Sequence, residues 1–318
     1  MDDAVHDQAL YPAIEPFDAG WLNVGDGHRI HFEQCGRPDG YPVLFLHGGP
    51  GSGCSHLHRR LFNPEHCRIL LFDQRGCGRS QPQGSVQANT STHLVADIER
   101  LRTHFGIDHW LVVGGSWGAG LALAYAAALP AACSGLVLRS VFLGRVSDVD
   151  WFFRGARQCQ PQAWETLLRQ APLEARKDPL RWLHVGLQQN VASALPYARA
   201  WQAWEATLSG EPTPPAPDAA GALALVHKYR LQSHYLVNGC FWGASPLLTR
   251  AATLGAVPAI LVHGDDDAIC LPQAARALHA ALPLSRLRWV PGCGHTPYAP
   301  AMVHALGEAV RDLMGPER

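Results

Sequence analysis

Gly114-Gly-Ser-Trp-Gly118 sits between an apolar run, 109–113 (HWLVV), and an Ala/Leu-rich stretch, 117–129. That placement constrains the fold more than any other feature of the chain. A strand that bends at once into a helix needs residues without bulk at the turn, and the flanking glycines supply them. A serine at such a bend stands at the head of the helix, where the dipole favours developing negative charge. GxSxG alone carries little information; a strand before it and a helix after it mark a nucleophile elbow.

The rest of the sequence fits a sheet around that elbow. Residues 28–35 (HRIHFEQC) alternate like a strand, and 42–46 (PVLFL), 68–72 (RILLF) and 135–139 (GLVLR) are short apolar runs. Helical stretches separate them, among them 91–105 with Leu94, Ile98, Leu101 and Phe105 at helical spacing. Such runs predict buried parallel strands. From 144 to about 243 no strand-like run occurs; Trp-rich helical pieces are expected at 151–159, 161–170, 179–190, 196–208 and 221–236. Glu211-Pro-Thr-Pro-Pro-Ala-Pro217 breaks them and reads as a stiff loop. Strands then return at 258–263 and 286–290, with helices at 272–282 and 300–314. The expectation is an α/β catalytic domain formed by 1–143 and 244–318, with a mostly parallel sheet flanked by helices. A helical cap, 144–243, is inserted in the middle.

Composition removes several function classes. Hydrophobic residues make up 47% and charged residues 17%, which suits a sizeable core. Lys+Arg number 26 against 27 Asp+Glu, for a net charge of −1, so no nucleic-acid partner is expected. No run of ~18 apolar residues appears, so no membrane span is expected. The N-terminal stretch MDDAVHDQALYPAIEP has acids and prolines where a secretory signal has a basic start and an apolar centre, so the expected location is cytoplasmic. Nine cysteines without CxxC and 17 histidines without HExxH give neither a disulfide framework nor a metal site. The oligomeric state stays open.

A serine nucleophile needs a base, and the base an orienting acid. At a nucleophile elbow the chain order is Ser, then Asp or Glu, then His. His263-Gly-Asp-Asp-Asp267 follows the strand at 258–262, and Gly292-Cys-Gly-His295 follows the strand at 286–290. His295 is therefore the expected base, and one of Asp265, Asp266 and Asp267 the acid. Two N–H groups must hold the oxyanion. One is expected from Trp117 and the other from His47-Gly-Gly-Pro-Gly51, after the strand at 42–46. Phosphate binding by that loop is disfavoured: Walker and GxGxxG patterns are absent, and the two lysines, Lys177 and Lys228, lie elsewhere in the sequence. In Asp73-Gln-Arg-Gly-Cys-Gly-Arg-Ser80, Arg75 and Arg79 suit either an anion site or a turn held by Asp–Arg hydrogen bonds, and the turn is favoured.

HGGPG at 47–51, DQRGCGRS at 73–80, GGSWG at 114–118 and GCGH at 292–295 together resemble the prolyl aminopeptidases (proline iminopeptidases) of the α/β-hydrolase superfamily. The stretches Tyr11–Pro16 and Gly27–Ile30 are similar as well, so the resemblance spans nearly the whole chain. It implies a serine hydrolase that releases N-terminal proline from peptides through an acyl-enzyme on Ser116, with no cofactor. It points to Asp267 as the acid, at the end of a GxxD segment 28 residues before His295. Gly49 is the implied oxyanion donor beside Trp117. The family places glutamates on its cap for the substrate amine, and Trp201-Gln-Ala-Trp-Glu205 matches the first such segment, making Glu205 the implied anchor. The second segment departs: Leu231-Gln-Ser-His-Tyr235 has Gln232 where an acid is usual, and Asp265 stands where family members often carry Arg. Phe142 and Cys270 are implied walls of a slot for the pyrrolidine ring. Gln232 and Asp265 motivate an alternative, a carboxylesterase or amide hydrolase on small acyl substrates. A catalytically silent binding module is opposed by the intact Ser/Asp/His set.

Overall fold

The computed structural model of the chain describes residues 9–243 and 246–315. Residues 1–8 of the acidic N-terminal stretch, and Ala244 at the expected domain boundary, lie outside them.

Eight strands form one sheet: β1 (Asp18–Gly25), β2 (His28–Gly36), β3 (Tyr41–Leu46), β4 (Cys67–Phe72), β5 (Trp110–Gly115), β6 (Cys133–Arg139), β7 (Ala259–Gly264) and β8 (Ser285–Val290). Their order across the sheet is β1-β2-β4-β3-β5-β6-β7-β8. β1–β2 and β2–β4 pair antiparallel, and every other neighbouring pair is parallel. The parallel strands are apolar on both faces because both are covered. Leu44, Leu46 and Val112 point into one core, shared with α1 (Ser91–His104) and α2 (Trp117–Ala128). Val43, Phe45, Leu111 and Val113 point into the other, which the C-terminal helix at 300–314 closes.

Between β6 and β7 the described chain is helical: α3 (Val146–Phe153), α4 (Pro161–Leu167), α5 (Pro179–Leu187), α6 (Val191–Leu208), α7 (Ala219–Val237) and α8 (Leu247–Ala251), with short 3-10 turns between some of them. α3 to α7 bury a core of their own, in which Phe152, Phe153, Trp164, Trp201, Trp204 and Tyr229 pack together. The indole N–H groups of Trp164 and Trp204 donate to the carbonyls of Phe153 and Phe152 at 2.9 and 3.0 Å, so these buried polar atoms are paired. After β7 come α9 (Pro272–Ala281) and, after β8, α10 (Pro300–Met314). Among the described residues no helix is long and apolar enough to cross a membrane.

One expected boundary needs correction, and the structure adds elements that the sequence analysis does not contain, among them β1, α8 and a short helix at His56–Arg59. β1 was not anticipated; its sequence, DAGWLNVG, buries only Val24 fully, so an edge strand of this kind has no apolar run to reveal it. α6 begins at Val191 rather than 196, with Pro196 inside it. The Asn190 side chain caps that earlier start by accepting from Ser193 N–H. α8, a short helix after the Trp-rich region, was also missed.

Candidate active site

The turn at Ser116 is as tight as its sequence implies. Ser116 has φ 56 and ψ −121, a conformation that costs a non-glycine residue free energy and that the surrounding sheet must hold. Its N–H donates to Arg139 O at 2.9 Å, which fixes the bend against the end of β6. A Cβ at Gly118 would lie 2.1 Å from Leu46 O, so α2 can start this close to β3 only with glycine there. Trp117 opens α2 with its ring buried; its indole N–H donates to Gln74 Oε1 at 2.9 Å.

Asp267 is buried after β7 and faces His295 on the loop after β8. His295 Nδ1 donates to Asp267 Oδ2 at 2.9 Å. Asp267 Oδ1 also accepts from the N–H groups of Ile269 and Cys270, at 3.0 and 2.8 Å. Burial alone would raise the Asp267 carboxyl, but the His295 imidazole and the Cys270 N–H outweigh it and hold it well below the usual carboxylate range. The acid is therefore ionised, and it fixes the tautomer that leaves His295 Nε2 as the basic nitrogen. Asp265 does other work: its Oδ1 accepts from Gly292 N–H at 2.7 Å and so ties the Asp loop to the His loop. Asp266 is exposed.

Ser116, His295, Gly49, Phe142, Cys270, Glu205 and Gln232 all line one cavity of about 280 Å³ under the helical insert. The Ser116 hydroxyl lies 3.9 Å from Cys270 Sγ, and no hydrogen bond joins it to His295. Burial pushes the Cys270 thiol well up, so it stays protonated beside the serine. A larger hollow of about 750 Å³ lies at the N-terminal ends of the central strands β3, β4 and β5, among Tyr41, Cys67, His109 and the end of α10, away from these groups.

The arginines of the Asp73–Ser80 segment serve structure. Arg75 is buried and forks onto Asp97 at 2.7 and 2.9 Å, with Asp26, Val24 O and Ala88 O as further acceptors. Arg79 binds Asp73 at 2.8 Å and Glu33. Their partners reach well beyond the turn itself.

Two groups in the cavity were not singled out from the sequence. Arg139 lines it, buried, at the end of β6. Lys228 lines it too, and a Cβ on Gly51 would meet the Lys228 carbonyl oxygen at 2.4 Å. The lysine that is remote in sequence from the Gly-rich loop thus packs directly on it. Glu205 is not a free carboxylate: Lys228 Nζ lies 3.2 Å from its Oε2, Tyr229 OH donates to Oε2 at 2.7 Å, and Gln232 Nε2 donates to Oε1 at 2.7 Å. No pattern in the sequence indicated the lysine, because its place depends on how α7 folds back over the sheet.

Comparison with known proteins matches residues 41–300 to the alpha/beta hydrolase fold family. A proline iminopeptidase of Xanthomonas citri is 44% identical over 310 residues, covering 95% of this chain and 98% of the relative. A proline iminopeptidase of Neisseria meningitidis is 42% identical, covering 96% and 99%. Among solved structures, a proline iminopeptidase of Mycobacterium smegmatis aligns with a TM-score of 0.58 at 20% identity, covering 92% of this chain and 100% of the other. VinJ aligns with a TM-score of 0.68 at 19% identity, covering 94% and 99%. At these identities the two structures speak for the fold.

Proposed function

The chain belongs to the proline iminopeptidases of the alpha/beta hydrolase fold, and on that premise we propose that it releases N-terminal proline from peptides through an acyl-enzyme on Ser116. The observation that carries the residue assignment is the His295–Asp267 contact at 2.9 Å in the cavity that also holds Ser116.

His295 Nε2 takes the Ser116 proton as the hydroxyl oxygen attacks the prolyl carbonyl. Asp267 orients the imidazole and stabilises the imidazolium. The N–H groups of Gly49 and Trp117 hold the oxyanion. The C–N bond then breaks, and His295 gives its proton to the leaving amine. Water, activated by His295, releases proline and restores the serine. Phe142 and Cys270 wall the ring, and Gln232, held in place by Glu205, faces its nitrogen. The segment 144–243 acts as a cap over a catalytic domain made of 1–143 and 244–318, and it closes the site beyond the ring so that only a chain terminus fits. No cofactor takes part in these steps.

A reducing location, the cytoplasm, suits the chain, because all nine cysteines are free. The test compares prolyl-p-nitroanilide, its N-acetylated form and p-nitrophenyl butyrate, with Ser116→Ala as control. Preference for the free prolyl substrate, abolished by Ser116→Ala, is the expected result. Fast ester cleavage without prolyl turnover would favour the small-acyl esterase reading, and a fully active Ser116→Ala would remove the mechanism.

A further inference from the structure

An N-terminal amine is usually cationic, and a buried cation needs an unpaired carboxylate. The cavity offers none. Its two lining carboxylates are Asp148 and Glu205. Arg145 holds Asp148 at 2.6 Å, and Lys228 holds Glu205 at 3.2 Å. Arg139, in the same wall, is a buried guanidinium whose recorded partners are Ser140 Oγ and the His295 carbonyl oxygen, with no carboxylate in ion-pair range among the described residues. The lining thus sets two basic side chains, Arg139 and Lys228, against two acids, and one acid has a further arginine of its own.

Gln232 adds an independent observation. It is 6% exposed, and its Nε2 is committed to Glu205. That commitment settles the amide orientation and leaves Oε1 buried in the cavity wall with no hydrogen-bond partner among the described residues. A buried orphan acceptor is costly unless a ligand donor meets it. Lys228 supplies the complementary donor: its ammonium has three N–H groups, with Glu205 and Tyr229 as its protein acceptors.

We propose that Gln232 and Lys228 read the ring nitrogen and its neighbour as an uncharged hydrogen-bonding pair, so that the enzyme hydrolyses pyroglutamyl (five-membered lactam) N-termini as well as prolyl ones. A lactam N–H donates to Gln232 Oε1, and the lactam carbonyl accepts from Lys228. A neutral prolyl amine satisfies the same two groups with its N–H and its lone pair. The covalent steps are unchanged: Ser116 Oγ bonds to the pyroglutamyl carbonyl, the C–N bond breaks, the leaving amine takes the proton from His295, and water releases the lactam acid. This inference rests on the acyl-enzyme reading above and deepens its specificity.

The experiment measures kcat/KM for pyroglutamyl- and prolyl-p-nitroanilide in the wild type, Lys228→Met and Gln232→Glu, each read against its own p-nitrophenyl butyrate turnover. The expected wild-type ratio of the two anilides is within about tenfold of unity, since one hydrogen bond separates the ligands. Lys228→Met frees the Glu205 carboxylate, and it should shift the ratio toward prolyl by about tenfold or more, the effect of a hydrogen bond to a charged group. Gln232→Glu should shift it the same way. Prolyl turnover without pyroglutamyl turnover, or a ratio unmoved by Lys228→Met, overturns this inference alone. Loss of both anilide activities with ester turnover retained overturns the prolyl reading and this inference together.

Discussion

Arg139 Nη1 donates to the backbone carbonyl of His295 at 2.6 Å, tying the strand beside the nucleophile to the loop that carries the base. The same guanidinium nitrogen reaches Ser140 Oγ at 2.8 Å. Burial lowers the Arg139 pKa and the Asp267 charge opposes that, while the guanidinium stays charged. Its position argues for a positioning role: it sets where the His295 ring stands relative to Ser116. Replacing Arg139 with Met should lower kcat on prolyl-p-nitroanilide by about 10²-fold, the usual cost of a small misplacement of a reacting group. KM should change far less, and labelling of Ser116 by a fluorophosphonate should slow in parallel. A Tm loss with normal labelling would assign Arg139 a purely structural role.

The second glycine of the elbow motif follows from the same side chain. A Cβ on Gly115 would sit 2.6 Å from Arg139 Nη2, and the guanidinium is boxed in by the base loop. Gly115→Ala should therefore destabilise the fold by about 1–3 kcal/mol through overpacking and reduce activity. The double variant Gly115→Ala/Arg139→Met should recover stability relative to the sum of the single changes, because the clash needs both groups. Additive losses in a double-mutant cycle of urea unfolding would rule the clash out.

How much of this was legible beforehand depends on the range over which the signal acts. The parallel strands and the final helix, 300–314, are written in local periodicity, and the structure has them within a few residues. β1 is not legible because its exposed edge has no apolar alternation, and the first turn of α6 lies ahead of the expected 196–208, with Pro196 inside the helix. The Ser116, Asp267 and His295 assignments came from chain order and loop placement, which are also local. Choosing Asp267 among three adjacent aspartates took the family resemblance; in the structure Asp267 lies 2.9 Å from His295 Nδ1, whereas Asp265 accepts from Gly292 N–H. Arg139 and Lys228 were not legible: each matters only through partners brought in from distant segments, His295 for one and Glu205 for the other.

The proposed orienting acid gives a sharper test than the proposed nucleophile. Asp267 accepts from His295 and from two backbone N–H groups, so an amide in its place keeps the shape and loses the charge. Asp267→Asn should keep the fold but lose the stability that the depressed Asp267 pKa represents at neutral pH, and it should reduce kcat by about 10⁴-fold, the loss expected when the imidazole takes the wrong tautomer. Retention of more than a tenth of the wild-type kcat would place the orienting acid elsewhere.

Acid stability should be set first by buried histidines. His47 and His263 are fully buried, and burial holds both below the ordinary imidazole pKa. Their hydrogen bonds require the neutral ring. His47 Nε2 accepts from Gln74 N–H at 3.0 Å, and His263 Nδ1 accepts from Val141 N–H at 3.2 Å. Protonation would set N–H against N–H at both places. His58, half-buried against Phe45, is pushed down to about 3 for the same reason. The sign follows from linkage: below the unfolded imidazole pKa of about 6.5 the unfolded chain binds protons that the folded chain refuses, so stability falls as pH falls. Each such histidine contributes a slope of at most about 1.4 kcal/mol per pH unit, from about 6.5 down to its folded pKa. Carboxylates with depressed pKa values, Asp267 among them, lose their contribution only below about 4, so the interval from pH 6 to pH 4.5 belongs to the histidines. Urea midpoints measured across that interval should fall steadily. His263→Asn, which cannot take up a proton, should flatten the dependence, whereas a midpoint that does not move with pH in the wild type would mean that these rings charge freely in the folded protein.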